Sequence, residues 1–111
     1  MNYNIISSCS KGNATVIRDI ILIDCGVSFK QLIKVYKNLK IVLLTHIHRD
    51  HFNKVTIKKL AEERPTLRFA CCKWLFEELI KCGVDKRNID VLEIGKKYDY
   101  KLFKIVPIRL Y

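Results

Sequence analysis

The chain has 111 residues, of which 50% are hydrophobic and 29% charged, a composition typical of a folded domain rather than a disordered chain. This length corresponds to one domain, since domains usually have about 100–200 residues. The longest apolar runs, such as Ile41–Leu44, are far shorter than the ~20 residues needed to cross a bilayer. Met1–Ile6 lacks the basic start and long apolar stretch of a secretory signal. We therefore expect a cytoplasmic protein with no membrane association.

Basic residues outnumber acidic ones, with 21 lysines and arginines against 11 aspartates and glutamates and a formal net charge of +10. The positive charges are scattered along the chain, so they do not indicate a disordered basic tail. One interpretation is an ordinary basic surface. The other is attraction to a polyanion, namely nucleic acid, a phosphorylated small molecule or an acidic partner.

The cysteines are odd in number and form no Cys-x-x-Cys pair: Cys9, Cys25, Cys71, Cys72 and Cys82. Without a signal sequence, this predicts free thiols in a reducing compartment. Cysteine is among the most frequently buried residue types, so most of these side chains are expected in the core.

In the first half of the chain, a short strand is predicted at 4–7, followed by a loop of small residues at 7–13. Two β-branched runs, 14–17 and 20–24, flank Arg18-Asp19 and predict a hairpin. Ser28 is placed to cap a helix whose apolar residues recur at helical spacing, namely Phe29, Leu32, Ile33 and Tyr36. A buried strand is predicted next, at 40–45.

The second half alternates between the same kinds of element. A helix is predicted at 54–64, ended by Pro65, and a strand follows at 67–71. The next helix has an apolar stripe from Cys72 to Ile80 and a cap at Gly83. A strand at 89–94, a turn at Gly95-Lys96 and a strand-like tail at 98–111, interrupted by Pro107, complete the predicted order. Strands that alternate with helices indicate an α/β domain.

All three histidines lie in one segment, His46-Ile-His-Arg-Asp-His51. Histidine is the commonest metal ligand, and neutral imidazole suits zinc and similar divalent metals. In an extended segment His46 and His48 point to the same side, because the side-chain period is two, and they can bind one metal. Where the chain turns towards the next helix, Asp50 and His51 can face a second metal. Two metals about 3.5–4 Å apart suit hydrolysis of phosphate esters or acyl bonds. The alternative is a loop of hydrogen-bonded histidines in which Asp50 caps the following helix.

The segment Leu43-Leu-Thr-His-Ile-His-Arg-Asp-His51 resembles the signature of the metallo-β-lactamase superfamily, His-x-His-x-Asp-His after an apolar strand. Upstream, Ser7–Ala14 and Ile21–Gly26 are similar to the opening of the branch that contains bacterial and phage-encoded hydrolases and DNA exonucleases. The resemblance covers roughly residues 3–82 in order. It implies an αββα sandwich with metals at one edge between the sheets, of which this chain covers about the N-terminal half.

This resemblance implies that His46 and His48 bind the first metal and that Asp50 and His51 bind the second. Asp50 would also act in catalysis by orienting the attacking water. Asp24 matches the family's carboxylate at a strand end, where it would orient a ligand or its loop; a plain helix or turn cap is the alternative. Zinc is the expected ion, and manganese and iron suit the same ligands. The residues that would line the neighbouring loop, or form a plain turn, are Ser8, Ser10, Gly12 and Asn13.

The implied site is incomplete in this sequence. The family supplies a further histidine, a bridging aspartate and a last histidine from later strands, whereas this chain has no fourth histidine. Catalytic zinc usually has three protein ligands and an open position. The sequence is therefore either a piece of a longer hydrolase or a shortened relative with altered chemistry. The absent ligands would come from a further half of the sandwich, from a second copy of the chain or from a carboxylate already present in it.

We therefore expect a metal-dependent hydrolase of phosphodiester bonds, with nucleic acid as the favoured substrate because of the charge of +10. A small phosphorylated or ester substrate is one alternative. A non-catalytic metal-binding or interaction module is another, and the absent ligands favour it.

Overall fold

The computed structural model describes residues 3–9, 12–45, 52–100 and 103–105. Within them a six-stranded sheet is accompanied by two α-helices, several short 3₁₀ turns and a separate two-stranded hairpin. The sheet strands are β1 (Tyr3–Cys9), β2 (Gly12–Ile17), β3 (Ile21–Ile23), β4 (Ile41–Leu43), β5 (Arg68–Cys71) and β6 (Ile89–Val91). The helices are α1 (Lys54–Glu63) and α2 (Phe76–Lys81), and the hairpin is formed by β7 (Tyr98–Asp99) and β8 (Lys104–Ile105).

The strands of the large sheet lie side by side in chain order, from β1 to β6. The first three pair in antiparallel fashion, whereas β3 to β6 are parallel to one another. Parallel neighbours need a crossover connection, and α1 and α2 lie in two of the three crossovers. The predicted α/β class is therefore confirmed, with a mostly parallel sheet. No helix in the described ranges is long and apolar enough to span a membrane.

The order of the parallel strands explains why one face of the sheet carries the helices. Crossovers are right-handed almost without exception, so successive crossovers that advance in one direction fall on the same face. Side chains alternate along each strand, and Leu22, Val42 and Phe69 belong to the large core cluster that includes the helix residues Ile57 and Leu60. Their strand neighbours face the other way.

The second face of the sheet carries a smaller apolar cluster. Its buried members are Ile21, Ile41, Ala70 and Leu92. The hairpin packs against them through half-buried side chains, and the rings of Tyr100 and Phe103 stack with 5.2 Å between their centroids. Among the described elements, the hairpin is therefore the one that covers this face of the sheet.

Polar contacts fasten the hairpin to the sheet. Arg68 of β5 and Asp90 of β6 form an ion pair, and the Tyr100 hydroxyl donates to Asp90 Oδ2 at 2.9 Å. The Tyr98 hydroxyl accepts from the backbone N–H of Glu93 at 2.8 Å. Each tyrosine therefore links the hairpin to the chain in or just after β6.

Of the two connections predicted in the first part of the chain, the structure confirms the hairpin and not the loop. The predicted loop at 7–13 is wrong for most of its length, because β1 continues to Cys9 and β2 begins at Gly12, and cross-strand pairing holds both extended. The hairpin around Arg18-Asp19 is confirmed. Both residues have positive φ, 54° and 63°, and the Ile20 N–H donates to the Ile17 carbonyl at 3.1 Å, as in a tight turn of the mirror-image type.

The helix predicted from Ser28 is wrong as an α-helix. The chain instead forms two 3₁₀ turns, Phe29–Leu32 and Tyr36–Asn38. Ser28 does begin the first turn and forms a capping box with Gln31. The Arg64 guanidinium donates to three backbone carbonyls of the second turn region, those of Tyr36 at 2.7 Å, Lys37 at 3.0 Å and Leu39 at 2.9 Å. These hydrogen bonds fix the chain between the first 3₁₀ turn and β4.

The remaining helices agree with the sequence pattern. Helix α1 starts at Lys54 as predicted, with Asn53 as its cap. The second helix begins with a 3₁₀ turn at Lys73–Leu75 and continues as α2. Gly83 follows it with a φ of 98°, and the N–H groups of Gly83 and Val84 donate to the carbonyls of Ile80 and Leu79. This is the predicted left-handed cap. In the tail, a hairpin replaces the first part of the predicted single strand, and residues 106–111 lie outside the described ranges.

Replacing Tyr100 with Phe should lower the free energy of unfolding by ~1–2 kcal/mol, because Asp90 loses a hydrogen bond donated to its charged carboxylate. Urea unfolding of the variant measures this. The matched control Tyr98→Phe removes only an acceptor for an exposed backbone N–H, so it should cost less. A larger loss in the control would contradict the assignment.

The same hydroxyl predicts a pH dependence. Burial, followed by the hydrogen bond to Asp90, raises the pKa of Tyr100. The folded protein therefore keeps this proton to higher pH than the unfolded chain, whose tyrosines titrate near ~10. The stability that the wild type has over the Tyr100→Phe variant is complete below that pH and should shrink as the pH rises above it. A difference that grows in alkali would show that the hydroxyl is not a donor to Asp90.

Candidate functional site

The predicted metal ligands lie in a segment whose two ends are described but whose interior is not. Residues 46–51 lie outside the described ranges, and they hold His46, His48, Asp50 and His51. Thr45 precedes this histidine segment, just beyond the end of β4. Phe52 follows it, directly before Asn53 and α1. The structure therefore locates the two residues that flank the segment.

Asp24 holds the start of the histidine segment. Its side chain is buried, with 6% exposure, just beyond the end of β3. Its Oδ1 accepts from the Thr45 backbone N–H at 2.8 Å and from the Thr45 hydroxyl at 2.7 Å. The Asp24 N–H in turn donates to the Leu43 carbonyl at 2.8 Å. Backbone and side chain of Asp24 thus bind the end of β4 together.

The backbone of Asp24 ends β3. Its φ of 62° lies in the left-handed region, which aspartate and asparagine enter more readily than most residues. A strand cannot continue through such a residue, so the chain leaves the ladder here. A side-chain oxygen that accepts hydrogen bonds is needed at the same position for the contact with Thr45. Aspartate meets both requirements.

The next residue, Cys25, holds the end of the histidine segment. It pairs with Phe52 in a parallel bridge, and its carbonyl accepts from the Asn53 N–H at 2.6 Å. Cys25 and Phe52 are both buried. Asn53 then begins α1, because its side-chain oxygen accepts from the Thr56 N–H at 3.1 Å. The Asp24-Cys25 dipeptide therefore contacts both flanks of the histidine segment.

A cleft of about 610 Å³ opens at the same edge of the sheet. It is lined by residues at and just after the ends of three adjacent parallel strands, among them Leu44, Thr45, Cys72, Lys73, Trp74, Leu92 and Ile94. Most of these side chains are apolar. In open α/β sheets ligands bind outside the carboxyl ends of the strands, and clefts of about 300–1,000 Å³ are usual for small ligands. Thr45 belongs both to the cleft wall and to the contact with Asp24, so the cleft adjoins the start of the histidine segment.

A second cleft, of about 410 Å³, carries positive charge. It lies between the first turns of α1 and the end of α2, and Lys54, Lys58 and Lys81 line it. Lys81 pairs with Glu78 at 3.7 Å, whereas Lys54 and Lys58 make no ion pair with a carboxylate of the described residues. Like charges four residues apart on a helix repel one another. This arrangement favours an anionic ligand.

The cysteines are core residues rather than reactive groups. Cys25, Cys71 and Cys82 are buried and Cys72 is half-buried, all as free thiols, while the side chain of Cys9 lies outside the described set. Burial raises the pKa of Cys25 to about 12, with a smaller contribution from Asp24. Burial raises the pKa of Cys71 to about 12 as well, aided by Cys72 and Asp90. These two thiols stay protonated at neutral pH and are poor nucleophiles.

The other predicted site residues have separate outcomes. Gly12 and Asn13 lie in β2 and Ser8 lies in β1, so they belong to paired strands rather than to a loop, and Ser10 is outside the described ranges. The Asn13 carbonyl accepts from the Gly26 N–H at 2.9 Å, which places this strand beside the Asp24–Gly26 turn. In the described part of the chain no three histidine, cysteine, aspartate or glutamate side chains are grouped to hold a metal ion.

Thr45 is the residue that sequence reasoning missed. Its hydroxyl and N–H serve Asp24, which lies 21 positions earlier. The available signal was a threonine directly after an apolar run and directly before the histidine segment. A pattern along the chain cannot show that this hydroxyl meets a particular carboxylate.

Comparison with known proteins gives a limited result. No family model matches the chain. The chain is similar to the cytidine monophosphate-N-acetylneuraminic acid hydroxylase of Xenopus laevis, with 36% identity over 58 residues, which is 50% of this chain and 10% of that protein. The chain therefore spans about a tenth of the length of the curated relative it matches.

Replacing Asp24 with Ala should lower the free energy of unfolding by ~2–3 kcal/mol, because two partly buried donors of Thr45 lose their acceptor. It should also speed hydrogen exchange of the Thr45 amide by more than tenfold. Asp24→Asn is the matched control, since its side-chain oxygen can still accept, and it should retain most of the protection. Equal exchange in all three proteins would contradict the described contact.

Proposed function

We propose that this chain is a metal-dependent hydrolase of the metallo-β-lactamase kind that acts on phosphodiester bonds. One observation carries the proposal. The motif His46-x-His48-x-Asp50-His51 occupies a segment whose two flanks are held by Asp24 and Cys25 at the carboxyl edge of a parallel sheet, beside a cleft. Ligand sites in such sheets lie at this edge.

The donor set fits divalent metals. Three imidazoles and one carboxylate suit zinc, and manganese or iron would also accept these ligands. Bound ions of this kind supply Lewis acidity that activates water and stabilises charge on phosphate oxygens. In the proposal His46 and His48 would hold one metal, Asp50 and His51 would hold a second, and Asp50 would also orient the attacking water. Asp24 positions the start of the segment through Thr45, and the 610 Å³ cleft receives the substrate.

The described fold supports the proposal that the chain forms one half of an αββα sandwich. It contains a helix layer and a sheet layer, which are the first two layers of such a sandwich. The opposite face of the sheet is apolar and carries the small hairpin, with Ile17, Ile23 and Leu43 only half-buried. A second sheet packed on this face would bury them.

The proposed substrate is nucleic acid. The net charge of +10 and the cleft formed by Lys54, Lys58 and Lys81 favour phosphate groups. The Xenopus relative is named for a cytidine monophosphate conjugate, which contains a nucleotide, although its named reaction is a hydroxylation. That name supports a nucleotide-containing small molecule as the second candidate. A cytoplasmic location is proposed too, since buried free thiols suit a reducing compartment.

The first functional prediction concerns metal content. Equilibrium dialysis against zinc followed by elemental analysis should find bound metal in the wild type, and His46→Ala with His48→Ala should remove most of it. Cys72→Ser is the matched control, because it removes a soft ligand near the same edge and should leave the metal content unchanged. Equal zinc in the wild type and the double histidine variant would exclude the proposed site.

The second prediction concerns hydrolysis. With zinc or manganese added, the chain should cleave bis(p-nitrophenyl) phosphate in a metal-dependent manner, and Asp50→Ala should abolish the cleavage. The rate should be low, because the four signature ligands are fewer than a complete dinuclear site provides, and misplacement by ~1 Å can cost about a hundredfold. A rate independent of metal, or unchanged in Asp50→Ala, would refute the proposal.

The third prediction locates nucleic-acid binding. Affinity for a short DNA, measured by fluorescence anisotropy, should fall by orders of magnitude between about 50 and 200 mM salt if several lysines contact phosphates. Lys54→Gln with Lys58→Gln should reduce the slope of log affinity against log salt by ~2. Lys30→Gln with Lys34→Gln removes the same charge from another exposed surface and should change the slope less. Equal effects would mean that net charge alone drives binding.

A further inference from the structure

The only tryptophan of the sequence is exposed. Trp74 has 67% of its surface accessible, whereas tryptophan is usually highly buried. It lies directly after β5, in the 3₁₀ turn Lys73–Leu75, and lines the 610 Å³ cleft together with Thr45. An exposed indole at this edge of the sheet indicates a binding role.

The local structure keeps the indole at the surface. Leu75, the next residue, is completely buried in the main core. Its N–H donates to the Cys72 carbonyl at 3.1 Å, which closes the turn. Because Leu75 anchors the turn from inside, Trp74 cannot enter the core without displacing it. The exposure is therefore a property of the fold.

We propose that Trp74 is a stacking platform for a nucleobase of the substrate and that Lys73 binds the adjacent phosphate. Stacking on an aromatic ring combined with a nearby cation is the usual mode of binding single-stranded nucleic acid. Lys73 is exposed and lines the same cleft. The inference rests on the proposed function, because the base and the phosphate belong to the proposed nucleic-acid substrate.

A second copy of the chain is the competing occupant of this surface. Ile94, with 54% exposure, extends the apolar rim next to Trp74. Two copies with a charge of +10 each would repel one another, whereas the same charge attracts a polyanion. The charge therefore favours nucleic acid.

The single tryptophan makes a direct test possible. The wild-type chain is titrated at low salt, with chelator present to prevent cleavage, with an octamer of thymidine and with an abasic octamer of the same charge. Tryptophan fluorescence should be quenched by the first oligonucleotide and not by the second. Anisotropy should show about five- to a hundredfold tighter binding of the base-containing oligonucleotide, as expected for one stacked base.

Variants then assign the effect to Trp74. Trp74→Ala should reduce binding of the thymidine octamer to the level of the abasic one, while Trp74→Phe should retain part of the difference. Ile33→Ala, at another exposed apolar residue with 56% exposure, should change neither affinity. Equal affinity of the wild type for both oligonucleotides, or self-association of the free chain that Trp74→Ala abolishes, would overturn the inference. Because no metal is present, a failure here is distinct from failure of hydrolysis.

Discussion

The contact between Asp24 and Thr45 is the interaction on which the proposed site depends. A buried carboxylate between the ends of two parallel strands accepts two hydrogen bonds from one residue, at 2.7 and 2.8 Å. Burying a charged group without such partners would be costly. With them, the ends of β3 and β4 are joined at the point where the histidine segment starts, and Cys25 receives the chain where the segment ends. The Asp24-Cys25 dipeptide therefore contacts the chain on both sides of the histidine segment.

The order of the strands determines where the crossovers, the large cleft and the hairpin lie relative to this contact. Because β3 to β6 advance in one direction, their crossovers pack on one face and their carboxyl ends form one continuous edge. The large cleft lies along that edge, and Trp74 and Thr45 line it at the ends of neighbouring strands. The other face receives only the β7–β8 hairpin among the described elements, fastened by the tyrosine hydroxyls and the Arg68–Asp90 pair. The packed faces of the sheet therefore stabilise the fold, while its carboxyl edge carries the candidate site.

Much of this fold could be predicted from local patterns, and the exceptions have long-range causes. The apolar run of β4, the helix after Asn53 and the glycine cap at Gly83 are determined by neighbouring residues, and the sequence pattern found each of them. The helix predicted from Ser28 is instead two 3₁₀ turns, and the second of them is held by a residue far along the chain, since the Arg64 guanidinium donates to the carbonyls of Tyr36 and Leu39. The family resemblance predicted that Asp24 lies near the site. Its hydrogen-bond partner Thr45 could be identified only from the structure, in which β3 and β4 pair. The cleft could not be predicted from the sequence, since its walls come from the ends of three strands and from Ile105 of the hairpin.

The most direct test measures whether the contact between Asp24 and Thr45 raises the zinc affinity of the proposed site. The zinc affinity of Asp24→Ala should be about ten- to a hundredfold lower than that of the wild type, the range found when a residue that orients metal ligands is lost. Thr56→Val is the stability-matched control, since it breaks a buried hydrogen bond of 2.6 Å to the Val27 carbonyl without touching Asp24 or Thr45. The account predicts that this control, titrated under conditions where both variants are folded, keeps wild-type zinc affinity. If Asp24→Ala also keeps it, or if both variants lose it equally, the Asp24 contact does not organise a metal site.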